Sequence, residues 1–190
     1  MTEADPATVV RGDGQHLFRL LEEVERRCLA NSAGLPEQEI LEETWDGVLF
    51  SIRSRPLVAP LGEIVEILNY PASMTSVPGT FSWVKGVANI RGNLLPIIDL
   101  QSLLLGRSTV PGRRSRVLVI EFDGGVSGLL VDQMVGIRHF RPSAQAETVP
   151  DLPDALKRFV THSYEQDHQL WPVFSMRGLT ESQEFQFTAA

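Results

Sequence analysis

Few residues of this 190-residue chain have the type and spacing that chemistry needs. Ser82-Trp83-Val84-Lys85 fits S-x-x-K, in which a lysine activates a serine nucleophile for acyl transfer. The companion S-D-N and K-T-G triplets are missing, and so short a match arises often by chance. His16, His139, His162 and His168 lie on unlike segments and lack metal-ligand spacing. No phosphate cradle of the G-x-x-x-x-G-K-[ST] or G-x-G-x-x-G kind occurs. Asp99 and Asp132 each end an apolar run, as phosphoacceptor aspartates do, but without an adjoining acidic pair they read as cap and turn residues. The chain is therefore expected to be no enzyme and to need no metal or cofactor.

What remains is a pair. Glu66 and Arg91 each sit in an apolar segment, where an unpaired charge costs several kcal/mol. If both are semi-buried they should meet, and removing one partner would then cost about 3–5 kcal/mol. Two readings stand side by side: a structural ion pair that fixes the turn at Arg91, and a binding surface whose shape the pair sets.

The segment that must position Arg91 runs from Val84 to Gly106. Two apolar runs, Gly86–Ile90 and Leu94–Ile98, flank Arg91-Gly92-Asn93, which reads as a hairpin turn. Pro96 cannot donate to a ladder and marks an edge strand or a bulge. Asp99 suits a helix N-cap, Leu100–Leu105 a short helix, and Gly106 its stop.

Upstream, residues 1–14 read as disordered. Leu17, Leu20, Leu21, Val24 and Cys28 mark one face of a helix over Gln15–Asn31, with Glu22, Glu23, Arg26 and Arg27 opposite. Pro36–Asp46 reads as an acidic helix, completing a helical segment over 15–46. From residue 47 the period falls toward two: strands at Val48–Ile52 and Leu57–Leu61, then Glu63–Leu68, which carries Glu66. Pro71–Gly79 reads as loop and Thr80–Lys85 as a helical turn. Beyond Gly106 comes an arginine-bearing loop (Arg107, Arg113, Arg114, Arg116). A hairpin follows over Arg116–Phe122 and Val126–Val131, then an extended run over Asp132–Phe140. After loop 141–156 a last strand pair, Arg158–Tyr164 and Gln169–Phe174, leads to a capped turn at Ser175 and a tail over 180–190. Leu61–Ile67 and Leu130–Ile137 echo each other, each after strand–turn–strand. Many short strands with an internal echo imply two small barrels.

The net charge of −7 argues against nucleic acid as the main partner. The single cysteine, Cys28, excludes an internal disulfide and fits a reducing compartment. No signal-peptide pattern and no bilayer-length apolar run occurs, so a cytoplasmic protein without membrane insertion is expected.

The stretches E-I-V-E-I-L (63–68), W-V-K-G-V-A-N-I-R-G-N-L-L-P-I-I-D-L (83–100), R-V-L-V-I (116–120) and G-L-L-V-D (128–132) resemble the CheW-like chemosensory adaptors. A-P-L-G-E (59–63) and L-L-E-E-V-E-R-R-C (20–28) resemble the PilI subgroup, which serves type IV pilus twitching motility. The resemblance implies a mainly β fold, with two five-stranded SH3-like barrels side by side over residues 47–179. It implies a scaffold that joins a chemoreceptor's cytoplasmic tip to the regulatory domain of a CheA-like histidine kinase, at arrays beneath the inner membrane. Carried over by motif, Ile64, Glu66, Val87, Asn89 and Arg91 would face a receptor groove between the barrels. Leu130, Val131, Asp132 and Met134 would be a weaker kinase contact. The rivals are an adaptor of a flagellar or other array, a small-ligand barrel, and a hydrolase using Ser82 and Lys85.

Overall fold

The computed structural model describes residues 14–31 and 44–189. The readings of residues 1–13 and 36–43 lie outside them. The chain divides into two units, Met1–Leu41 and Glu42–Ala190. In the first, α1 (Gly14–Asn31) is the expected amphipathic helix, and Arg27 pairs with Glu23 one turn back at 3.0 Å. Leu20, Leu21 and Val24 are exposed.

The second unit opens with a hairpin, β1 (Trp45–Ile52) and β2 (Arg55–Pro60), followed by a 3-10 turn at Leu61–Glu63 and β3 (Glu66–Asn69). Trp45 and Asp46, read as the end of an acidic helix, are thus the first residues of β1. Trp45 stacks on Phe140 at 4.9 Å, a strand-face contact that helical propensity does not anticipate. Next come β4 (Val84–Ile90), β5 (Asn93–Asp99), α2 (Leu100–Leu105), β6 (Arg116–Phe122), β7 (Gly125–Val131) and β8 (Gln133–Phe140). The C-terminal part contains β9 (Gln145–Ala146), α3 (Asp154–Lys157), β10 (Val160–Gln166), β11 (Gln169–Phe174), α4 (Met176–Thr180) and α5 (Gln183–Ala189).

The strands form two sheets, in the orders β8-β1-β2-β11-β10-β9 and β3-β6-β7-β5-β4. The first has six strands rather than five, because the two-residue β9 adds to β10. Otherwise the orders correspond strand for strand. Each central hairpin takes its outer antiparallel neighbour from beyond the other hairpin: β8 pairs with β1, and β3 pairs with β6. Each also takes a parallel neighbour, β11 on β2 and β5 on β7. The sequence echo is the trace of this exchange, since its two copies lead into β3 and β8.

That exchange explains the long apolar runs. Alternation sends Leu49 and Val58 inside the first sheet with Phe140, Tyr164, Trp171 and Val173. Val117, Val119, Leu130, Ala88, Leu95 and Ile97 fill the inside of the second. The alternate residues, among them Val48, Phe50, Ile52, Leu118, Ile120, Leu129 and Val131, meet between the sheets in the largest cluster. The central strands are buried on both faces, so they read as continuous rather than alternating hydrophobicity. Residues 180–190, read as a tail, instead contribute α5, whose Phe185 is fully buried and packs edge-on against Phe122 at 5.2 Å.

Two other local readings change. Val84 and Lys85 belong to β4, and the segment before them is a turn closed by Val84 N–H donating to Phe81 O, not a helical one. Pro96 lies on β5, an interior strand. Its partner Val87 gives both backbone groups to Thr75 (each 2.9 Å), so on that side no bond from Pro96 is needed.

Candidate functional site

The Arg-Gly turn closes β4 onto β5 with Ile90 opposite Asn93. Arg91 has φ +53° and Gly92 φ +89°, the mirror-image turn that matches strand twist. Gly92 adopts this conformation freely, whereas Arg91 does so at a cost of order 1 kcal/mol. Asn89 offsets part of it, since its Oδ1 accepts the Gly92 N–H at 2.9 Å. At the other end of β4, Gly86 sits at a bulge with φ +137°, and a Cβ there would lie 2.4 Å from Thr75 O. Gly86, Asn89 and Gly92 of the motif thus answer backbone requirements.

Glu66 and Arg91 do meet, with Arg91 Nη2 2.7 Å from Glu66 Oε1. Glu66 is on β3 and Arg91 follows β4, so the pair joins the two edges of the second sheet. The expected semi-burial does not hold for both: the side chains are 33% and 77% exposed. An ion pair this open contributes about 0–1 kcal/mol to folding. The structural role is therefore small, and a strained arginine is being displayed at the surface.

The other motif residues separate. Asn89 is exposed and Val87 half-buried, but Ile64 is only 8% exposed and belongs to the core between the sheets. Leu130 and Val131 are 0% and 1% exposed, because both faces of β7 are covered; they offer a partner no surface. Asp132 and Met134 are half-buried.

Between one end of the second sheet and the C-terminal helices runs an open groove of about 950 Å³. Gly62, Glu63 and Val65 line one side, the β6–β7 turn (Phe122, Asp123, Gly124) another, and Met176 with Arg177 of α4 a third. Val65, 61% exposed, takes the place that Ile64 was expected to fill, since neighbours on an extended chain face opposite ways. None of Ile64, Glu66, Val87, Asn89 or Arg91 is in its lining. Glu63 fixes the wall: its Oε2 accepts the N–H groups of Met176 (2.6 Å) and Arg177 (3.3 Å) at the start of α4. By register, the Arg91-Gly92 turn, Val65 and the β6–β7 turn share one end of the second sheet.

The opposite end holds a buried polar network that the motifs did not announce. Asp99, fully buried, caps α2 through Ser102 N–H (3.1 Å). It also accepts both the N–H and the hydroxyl of Thr109 at 2.7 Å. Lys85 Nζ lies 3.2 Å from Asp99 Oδ2 and 2.9 Å from Ser108 Oγ. Lys85 is thereby committed to Asp99, and Ser82 is an exposed turn residue, so the geometry does not assemble an activated serine. Asp132 accepts the Arg53 N–H from the β1–β2 turn, and its N–H donates to Ser51 O at 3.2 Å, which links the two sheets. Its own carbonyl accepts the Ser115 hydroxyl at 3.0 Å. The sequence showed Asp99 as a cap and Asp132 as a turn residue, but not that Thr109, Ser115 and Lys85 join them. Among the described residues no group of three or more His, Cys, Asp or Glu could hold a metal, and no helix is long and apolar enough to cross a membrane.

Residues 46–184 match the CheW-like domain. The chain belongs to the CheW-like family. It is 42% identical over 174 residues to Protein PilI of Pseudomonas aeruginosa, covering 91% of this chain and 96% of that protein. It is 32% identical over 103 residues to the chemotaxis protein CheW of Helicobacter pylori, covering 54% and 61%. It is 31% identical over 112 residues to Protein FrzA of Myxococcus xanthus, covering 59% and 64%. A crystal structure of the scaffolding protein TtCheW from Thermoanaerobacter tengcongensis shares the fold, with TM-score 0.62 at 22% identity over 75% of this chain and 96% of that one. The PilI match takes in nearly the whole chain, whereas the CheW-like domain starts at residue 46; the segment carrying α1 is thus common to this chain and PilI rather than part of the domain.

Proposed function

We propose that this CheW-like chain is a non-catalytic chemosensory adaptor in pilus signalling, holding a chemoreceptor tip at one end of its second barrel and a CheA-like histidine kinase at another face. The observation that carries it is the surface display of Arg91. A residue held in a left-handed turn, paired in the open with Glu66 and set at the same end as an open groove, contributes little to folding and is free to contact a partner. The groove suits a helical hairpin: Val65 and Phe122 give apolar contact, and Glu121, Asp123 and Arg177 give polar points. Modest contacts suffice when receptors, adaptors and kinases assemble many at a time. Work of this kind belongs in the cytoplasm, at the receptor arrays.

The test is capture of a receptor-tip hairpin from the same genome by the full chain. Arg91→Glu and Glu66→Arg should each weaken capture about tenfold. The double exchange restores the ion pair but leaves the charges reversed toward the tip. Continued weakness in the double variant supports direct contact; full recovery would reduce the pair to a spacer, and undiminished capture by both single variants would remove the site.

A further inference from the structure

The second barrel is electrically two-ended. β6 begins beside Arg113 and Arg114 and ends beside Glu121 and Asp123. Its seven residues put these ends roughly 20 Å apart along the strand. The acidic end carries the groove. The basic end carries Arg53, Arg107, Arg113 and Arg114, all exposed and, among the described residues, none in an ion pair, in a chain whose net charge is −7.

This basic end is built, not slack. Thr109 is clamped to buried Asp99, and Ser115 to the Asp132 carbonyl. Gln101 Nε2 donates to Arg107 O at 3.1 Å, and Arg116 Nη1 to the carbonyls of Arg113 and Ser115 at 3.0 and 2.7 Å. Between the clamps the chain arches outward, leaving Val110 89% exposed beside Pro111. A loop fixed at both feet, showing an apolar tip among arginines, loses little entropy on docking. Its cations are all arginine, the type whose planar fork pairs carboxylates two at a time and which is enriched at protein interfaces.

We infer that loop 107–114 with Arg53 is the kinase-facing surface of this chain, and that the kinase regulatory domain presents to it carboxylates around a small apolar niche. The inference rests on the adaptor reading above and gives it a location. An adaptor that bridges two proteins needs two faces that one partner cannot cover together, and this end is the one the groove leaves free. It also replaces Leu130 and Val131, which are buried, while keeping Asp132 as a positioning residue that holds Arg53 and Ser115 in place.

The experiment titrates the full chain with the kinase regulatory domain of the same genome, and separately with the receptor-tip hairpin, at low and moderate salt. Arg113→Glu/Arg114→Glu should weaken the kinase domain about tenfold or more and flatten its salt dependence, with tip binding unchanged. Arg113→Lys/Arg114→Lys should recover only part. Thermal melts check folding, and Arg107→Glu, outside the arch, gives a second reading of the same effect. Kinase binding by the wild type that none of these reversals diminishes would overturn the inference and leave the adaptor function standing. A wild type that binds neither partner would remove the function and the inference together. Reversals that abolish capture by vesicles of anionic lipid while sparing the kinase domain would make the loop a membrane contact and overturn the inference.

Discussion

The two ion pairs of the second barrel teach by contrast. Glu66–Arg91 was conspicuous in the sequence, and it lies open, 33% and 77% exposed. Lys85–Asp99 was hidden inside a motif that mimics an enzyme, and it is shut away, 20% and 0% exposed. Water screens the first to little net stability, and it leaves a strained arginine on display at the surface. The second is coupled to four neighbouring groups and fixes α2, β4 and the loop that follows them. One pair holds the body together, and the other lies open at its surface.

Breaking the buried pair should have the largest effect. Asp99→Ala strands Lys85 and leaves the N–H groups of Ser102 and Thr109 without their acceptor, at a cost of about 3–5 kcal/mol. Urea unfolding measures it, and a loss below about 1 kcal/mol would place Asp99 with the surface pairs. Next comes the backbone that supports the exposed pair. Gly86→Ala puts a Cβ against Thr75 O at an unfavourable φ and should lower stability by about 1–3 kcal/mol without changing a single charge. Third, Arg91→Ala should alter stability by less than about 1 kcal/mol while weakening tip capture several-fold. An Arg91→Ala chain as unstable as Asp99→Ala would erase the contrast. The smallest effect is on pH dependence. Burial lowers the His162 pKa below the ordinary histidine value, so its neutral form is favoured in the folded chain. Its contribution is present above the unfolded histidine pKa and is lost as pH falls through the lower folded value. His162→Gln should make the acid-side melting curve shallower; an unchanged curve would assign the acid sensitivity to other groups.

Much of the fold was legible because its central hairpins are apolar on both faces and punctuated by tight turns. Arg91-Gly92 and Asp99–Gly106 could be read residue by residue, because left-handed turns and caps depend on local chemistry. The exchange of β3 and β8 was visible only as an echo, since which sheet a strand joins is a tertiary decision. Trp45 misled because an acidic, Pro-initiated segment favours helix until a stacking partner ninety-odd residues away is supplied. The last strand pair was read as uninterrupted, and the register shift between Val160 and His162 was missed because a bulge leaves no fixed residue type. For the site, the pair was found and its exposure misjudged. Period-two alternation puts Glu66 and Val65 on opposite faces, but which face is wet depends on what packs there. Thr109 and Ser115 stayed hidden because a short hydroxyl side chain signals nothing until its buried acceptor is known.

The most direct measurement of the two-ended account is a mixing experiment with both partners. The full chain is first saturated with the receptor-tip hairpin, the kinase regulatory domain is added, and the mass of the complex is read by light scattering. Separate ends predict a single species containing all three proteins, with the kinase domain binding the tip-loaded chain at least as tightly as the free one. Release of the tip in proportion to added kinase domain would mean that both compete for one surface, and would contradict the account.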